Sequence, residues 1–286
     1  VIADHDLKFN QAASVFDGAM WDLANPVESI RLPWWPHIDG AMGGLRPGEL
    51  TLITAPTGAG KTQLEANLAC QMLIQKVPTF VAPVETGDRD FIIRMCSVLE
   101  EKDWNTGAVY SGASVMALSA KYRAMFEDAP FYLATYDNRV ALEDMDAMLR
   151  YQCQVNKVRV ALLDNLNFFL KIDRSSDQNL VMDEAVRVIG NVAKQTGMHI
   201  ILICHPKKTE GGRIVSEFDI KGSASLVQEA ANVLLWNRPA EEHAALITDR
   251  EAVFKKMRRR GTVVGKQFWF SYKGGKFSEK IIGARV

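Results

Sequence analysis

The sequence predicts an α/β fold with a mainly parallel sheet flanked by helices, and three observations carry that expectation. Short apolar runs alternate with helical stretches along the chain, as in a parallel sheet covered on both faces. One run, Leu50-Thr51-Leu52-Ile53, leads directly into Ala55-Pro56-Thr57-Gly58-Ala59-Gly60-Lys61-Thr62, a glycine-containing turn between a strand and a helix. At 286 residues and 48% hydrophobic side chains, the chain holds ample apolar material for one substantial core.

The elements follow in order. From Lys8 to Trp21, the residues Phe9, Ala13, Phe16 and Met20 recur at helical spacing. Asn25-Pro26 and Pro33-Trp34-Trp35-Pro36 then break the chain. Residues 1–31 therefore read as a linker helix and linker, and residues 32–286 as the main domain. The sequence leaves open whether that helix packs on its own domain or on a neighbouring subunit. Leu50 to Thr54 is a strand, and Thr62 to Ile74 carries Leu64, Leu68 and Met72 at helical spacing. Three strand-then-helix pairs follow: Thr79 to Val84 with Phe91 to Leu99, Phe131 to Ala134 with Leu142 to Cys153, and Val158 to Leu163 with Leu180 to Gln195. His199 to Cys204 is the next strand. Val181, Ala185, Val188 and Val192 form one face of the helix from Leu180, and Gly197 stops it. Asn232 to Trp236, Ala252 to Lys256 and Lys266 to Tyr272 read as extra C-terminal strands extending one edge of the sheet.

Composition narrows the function. Thirty-four Lys plus Arg balance thirty-four Asp plus Glu, so any nucleic-acid contact must be local. Cys70, Cys96, Cys153 and Cys204 form no C-x-x-C pair, which speaks against a zinc site or disulfide framework and for buried free thiols. No apolar run approaches the roughly 18 residues that span a bilayer, and no membrane partner is expected. The chain begins at Val1 with no signal or transit pattern, which reads as a fragment of something longer.

The turn at residues 55–62 has the residues of a phosphate cradle. Backbone N–H groups after a strand and the positive end of the following helix both face an anion there. Gly58 and Gly60 permit close approach, Lys61 supplies a cation to the terminal phosphates, and the Thr62 hydroxyl suits Mg²⁺. The strict pattern begins with Gly where this chain has Ala55. Further along, Val160-Ala161-Leu162-Leu163-Asp164 ends an apolar strand in a carboxylate placed for Mg²⁺. Glu85 ends Phe80-Val81-Ala82-Pro83-Val84 and is the candidate general base for an attacking water. His205 follows Ile200-Ile201-Leu202-Ile203-Cys204, a strand-end position suited to sensing a γ-phosphate. Beyond it, Lys207, Lys208 and Arg213 stand in a basic loop, and Lys221-Gly222-Ser223 opens a helix. Such a segment holds a phosphate backbone without reading bases.

The ordered set Arg46-Pro47-Gly48-Glu49-Leu50, residues 55–62, Glu85, Leu163-Asp164, Ile203-Cys204-His205 with Lys207, Asp219 to Ser225 with Gln228, and Lys256-Met257-Arg258 with Gly261 resembles the RecA-like motor domain of DnaB-type hexameric replicative helicases. The likeness runs roughly from Leu32 to Tyr272 and is closer to the phage primase-helicase and Twinkle branch, because His205 stands where DnaB usually has Gln. The resemblance implies a RecA-like P-loop fold, with ATP or dTTP and Mg²⁺ as cofactors. It assigns Lys61 and Thr62 to the phosphates and Mg²⁺, Asp164 to the metal through water, Glu85 to the attacking water and His205 to the γ-phosphate. Arg258 matches an arginine finger reaching a neighbour's site, with Lys256 beside it. Arg238 and Tyr272 match the nucleobase sandwich, Gln228 joins the nucleotide residues, and Lys207, Lys208, Arg213, Lys221, Gly222 and Ser223 match the grip on single-stranded DNA.

The expectation is therefore an ATP-dependent 5′ to 3′ DNA helicase motor, a homo-hexameric ring on single-stranded DNA with a primase and a DNA polymerase as candidate partners. It would work in a bacterial or phage-infected cytoplasm, with a mitochondrial matrix as the other compartment. Direction and ring state come from the resemblance alone. The run Arg258-Arg259-Arg260 leaves the identity of the finger open, and the spacing from Gly261 to Gly265 is one residue longer than the family pattern. The rivals are a RecA or RadA-like recombinase, which would form filaments, and a KaiC-like regulatory ATPase, which would bind protein partners in place of DNA.

Overall fold

The computed structural model describes residues 11–26, 28–104, 108–135, 141–164, 178–206, 224–239, 249–259 and 261–280. Its elements run in the order α1 (Ala12–Ala24), α2 (Pro36–Met42), β1 (Leu50–Thr54), α3 (Lys61–Ile74), β2 (Thr79–Pro83), α4 (Asp88–Glu100), α5 (Gly112–Asp128), β3 (Phe131–Leu133), α6 (Leu142–Gln154) and β4 (Val160–Asp164). There follow α7 (Gln178–Thr196), β5 (His199–Cys204), α8 (Ala224–Glu229), β6 (Asn232–Asn237), β7 (Arg250–Met257), β8 (Gln267–Lys273) and β9 (Lys276–Lys280).

All nine described strands join one sheet in the order β3-β2-β4-β5-β1-β6-β7-β8-β9. Strands β3 to β6 in that order are mutually parallel, whereas β7, β8 and β9 add on antiparallel. The expected α/β architecture with C-terminal extra strands is the observed one, and β9 is a further strand beyond those expected. Strand β1 sits between β5 and β6, and ligands bind open α/β sheets outside the carboxyl ends of such strands.

Side chains alternate across the sheet as strand geometry demands. Leu50 and Leu52 of β1, with Ala161 and Leu163 of β4 and Ile200 and Leu202 of β5, join α6, α7 and α8 in one core layer. Ile53, Val160, Leu162, Ile201 and Ile203 face the other layer, with α3, α4 and the C-terminal strands. Within α7 the buried face is Met182, Ala185, Val186, Ile189, Val192 and Ala193. It is rotated slightly from the expected face, because Val181 and Val188 stand at its margin.

Helix α3 is buried nearly all round. Its expected apolar positions Leu64, Leu68 and Met72 are in the core, but Gln63, Asn67 and Gln71 at four-residue spacing are buried too. They act as a polar seam. Asn67 donates to the Gly275 carbonyl at 2.9 Å and accepts from the Phe277 N–H at 2.9 Å, while Gln63 donates to the same Gly275 carbonyl at 2.7 Å. The Gln71 side-chain Oε1 accepts from the Trp34 backbone N–H at 2.9 Å. The P-loop helix thus holds both the entry segment and the last hairpin.

One local expectation changes. Pro36 starts α2 instead of only breaking the chain, because proline's fixed φ suits the first helical turn. Among the described residues, α1 exposes Phe16 (59%), Met20 (44%), Trp21 (68%) and Leu23 (75%), so its apolar side is not buried on its own domain. Ile30 pairs with Leu45 and is buried. Cys70, Cys96 and Cys204 are buried free thiols as expected, and Cys153 is half-buried.

Candidate active site

The turn after β1 needs left-handed backbone, which is why glycine stands there. Gly58 has φ +76° and Gly60 φ +87°, and a Cβ on Gly60 would lie 3.4 Å from the Phe277 ring. The turn closes through the Ala59 N–H to the Pro56 carbonyl at 3.1 Å, and α3 begins with the Leu64 N–H bonded to the Gly60 carbonyl at 2.8 Å. Lys61 is buried at its centre and donates to the carbonyls of Ala55 (3.2 Å) and Pro56 (3.3 Å). Burial lowers its pKa, while the charges of Asp164 and Glu85 oppose that shift.

Sheet register brings the expected acids to the loop. Thr54 pairs with Cys204, Asp164 with Ile203, and Pro83 with Asp164, so the segments carrying Lys61, Glu85, Asp164 and His205 leave one carboxyl edge together. Thr62 Oγ1 donates to Asp164 Oδ2 at 3.4 Å. Asp164 is 2% exposed, and burial followed by the charge of Glu85 pushes its pKa up to about 6, against Lys61 and the Thr62 hydroxyl. Its other oxygen, Oδ1, is buried with no hydrogen-bond partner. A hydroxyl and an unsatisfied carboxylate oxygen are hard donors of the type Mg²⁺ takes, so Thr62 and Asp164 fit that ion. The His205 Nε2 to Glu85 Oε2 separation is 3.7 Å, which joins the candidate base to the candidate sensor.

The other flank of the loop is cationic and aromatic. Arg238 Nη2 donates to the Gly58 carbonyl at 3.0 Å. Trp236 Nε1 and Arg250 Nε both donate to the Ala59 carbonyl, at 3.1 and 2.7 Å. Tyr272 is half-buried against Phe277, ring centroids 5.0 Å apart, and interacts electrostatically with Arg250. Arg238 and Tyr272 therefore stand beside the loop.

The arginine run is elsewhere. Strand β7 runs against β6, so Met257 pairs with Asn232 and the Arg258 N–H bonds the Ala231 carbonyl. Thr51, near the start of β1, also pairs with Asn232. Arg258 thus lies at the amino edge, roughly 15 Å of strand away from the chain's own loop. There Lys256 Nζ donates to the carbonyls of Val227 (2.6 Å) and Gln228 (2.9 Å), and Arg258 Nη2 to those of Gln228 and Glu229, both 3.3 Å. These cations cap α8, as expected where a helix ends in unsatisfied carbonyls. Arg259 instead pairs with Glu49 at 3.1 Å. A cavity of about 260 Å³ opens between Glu49, Lys194, Glu229, Arg258 and Arg259. Gln228 lies on α8 at this same amino edge, where its carbonyl accepts from Lys256 and Arg258. Lys207, Lys208, Arg213, Lys221, Gly222, Ser223 and Arg260 lie outside the described residues.

Against known families, the model for the DnaB-like helicase C-terminal domain matches residues 35–279. The chain belongs to that family. This DnaB-like domain is 25% identical over 220 residues to the DNA helicase/primase of Enterobacteria phage T3, covering 70% of the chain and 38% of that protein. It is 22% identical over 223 residues to the replicative DNA helicase DnaB of Leifsonia xyli subsp. xyli, covering 71% and 45%. The domain thus spans less than half the length of these curated relatives. Its fold matches the ATPase domain of the protein G40P (TM-score 0.79, 13% identity, 96% of this chain and 100% of that one). It also matches a DnaB-like replicative helicase described with its primase interactions (0.77, 12%, 95% and 67%) and a KaiC-like protein from Pyrococcus horikoshii OT3 (0.63, 15%, 89% and 100%).

Three residues escaped the reading of the sequence. Trp236 was legible only as a strand residue and Arg250 carried no motif. Glu65 had a signal: it sits four residues after Lys61 and three after Thr62, on the same side of α3. It is fully buried with both carboxyl oxygens lacking a hydrogen-bond partner, and burial, then the charge of Asp164, raises its pKa well above the usual range. This DnaB-like domain therefore carries a buried acid, held above the usual carboxylate range, beside the Thr62 and Asp164 pair.

Proposed function

We propose that the domain is the ATP-dependent motor of a replicative DNA helicase, using ATP or dTTP with Mg²⁺ and moving 5′ to 3′ on single-stranded DNA as a hexameric ring. One observation carries the reading. The phosphate loop, Asp164, Glu85 and His205 gather at one edge of the sheet, while Lys256 and Arg258 stand at the opposite edge. An arginine there is too far away to serve its own loop, which supports a role at a neighbour's.

In this reading Lys61 and the loop's N–H groups hold the phosphates, and Thr62 and Asp164 hold Mg²⁺. The ion, when bound, neutralises charge on the phosphate oxygens. Glu85 orients water and takes its proton, and His205, paired to Glu85, senses the γ-phosphate and relays its state to the loop that follows. Arg238 and Tyr272 hold the nucleobase beside the loop. A neighbour's Arg258 stabilises transition-state charge, so hydrolysis depends on assembly. Residues 1–31 act as a linker whose exposed α1 docks on the next subunit, and residues 32–286 are the motor. Lys207, Lys208, Arg213, Lys221, Gly222 and Ser223 grip the DNA backbone, a primase and a DNA polymerase are the partners, and a bacterial or phage-infected cytoplasm is the compartment.

The test is ATP turnover with and without single-stranded DNA across protein concentrations. Turnover that rises with DNA, and steeply with concentration, is expected. Turnover indifferent to both would refute the DNA-motor reading and favour a regulatory ATPase. Mixing inactive Asp164→Asn and Arg258→Ala chains should restore activity, because intact loops then meet intact fingers. A mixture as inactive as its parts would remove the finger assignment.

A further inference from the structure

The carbonyl of Ala59 accepts two side-chain donors at once, Trp236 Nε1 at 3.1 Å and Arg250 Nε at 2.7 Å. A peptide is planar and trans, so its N–H points opposite to its C=O. Pinning the Ala59 carbonyl toward β6 and β7 therefore aims the Gly60 N–H away from those strands, into the concave side of the loop where an anion sits. Neither donor is free to wander. The Trp236 ring is fully buried between Phe270 and Phe277, with centroids 4.9 and 5.0 Å away. Arg250 opens β7 in register with Phe270, and its guanidinium is also tied to the Asp249 carbonyl at 2.7 Å. A guanidinium donor makes the bond charge-assisted, and partial burial strengthens it further.

We infer that Arg250, with Trp236 on the same carbonyl, is a positioning residue for the phosphate cradle. It sets the direction of the Gly60 N–H and acts through the loop backbone. This deepens, and rests on, the reading of residues 55–62 as a nucleotide-phosphate site. The consequence is that the antiparallel extension of the sheet, remote in sequence, preorganises the loop before ligand arrives.

The experiment uses the full 286-residue chain with Mg²⁺, titrated by calorimetry with ATP and with inorganic pyrophosphate. Arg250→Met should weaken both ligands by the same factor, about 10-fold for loss of one charge-assisted hydrogen bond. Arg250→Lys, which keeps a cationic donor, should recover part of that loss. In ¹⁵N-glycine-labelled protein without ligand, the Gly60 amide resonance should move in Arg250→Met, a change that direct ligand contact by Arg250 would not produce. Weakened ATP with unchanged pyrophosphate would overturn the inference in favour of a contact to the nucleoside. Unchanged binding of both, or an unmoved Gly60 amide, would also overturn it. Wild-type protein that bound neither ligand would instead sink the nucleotide reading itself. If Arg250→Met failed to fold, Arg250→Lys and Arg250→Gln would carry the same comparison.

Discussion

His199 offers a stability prediction whose size follows from its surroundings. The ring is fully buried at the amino end of β5, with Nδ1 2.7 Å from the Arg46 carbonyl and Nε2 3.1 Å from Thr51 Oγ1. A carbonyl can only accept, so Nδ1 carries the proton. Thr51 Oγ1 accepts from Asn232 Nδ2 at 3.1 Å, which leaves its own proton to donate to Nε2. The network therefore wants a neutral ring, and burial lowers the pKa of His199 from 6.5 to about 4. Between those values the unfolded chain binds a proton that the native state refuses, so stability is full above pH 6.5 and falls as pH drops toward 4. The loss is about 2 kcal/mol between pH 7 and pH 5, approaching about 3 kcal/mol near pH 4. Other buried acids shift with the opposite sign, Asp164 and Glu65 among them, so the measurement must be a difference. Urea unfolding of wild type and His199→Gln from pH 7.5 to 4.5 should give curves whose separation changes by that amount. Parallel curves would refute the lowered pKa.

Asn67→Ala should cost about 1–3 kcal/mol in urea unfolding, because the buried Phe277 N–H loses its acceptor; a loss under about 1 kcal/mol would mean that the hairpin finds other partners. Glu85→Gln should reduce steady-state ATP turnover about 10²- to 10⁴-fold while leaving nucleotide affinity within a few-fold. Intact turnover in that variant would remove Glu85 from the base role.

Much of this was readable in the sequence because its signals are local. The glycines of the loop, the apolar run before it and the carboxylate at the end of β4 each declare their place without knowledge of the rest. Register then follows, since parallel strands with buried ends align their carboxyl termini. What stayed hidden was long-range or polar. Gln63, Asn67 and Gln71 sit on a helix whose apolar spacing alone suggested an ordinary amphipathic face, and only the last hairpin explains their burial. Strand β9, Lys276–Lys280, has the sequence Lys-Phe-Ser-Glu-Lys and offers one apolar residue as a clue. Helix α5 exposes most of its length, so its periodicity was weak. Motif order also says nothing about which edge of the sheet a residue such as Gln228 reaches.

The separation of Arg258 from the loop has a consequence for mixed assemblies. When a finger and the loop it completes belong to different copies, as proposed for Arg258, a copy altered only there keeps its own site intact and disables the one next door. A copy altered at Asp164 does the reverse, spoiling its own site while still serving its neighbour. In a ring built alternately from the two altered chains, half of the sites would then pair an intact loop with an intact finger, whichever way round the copies face.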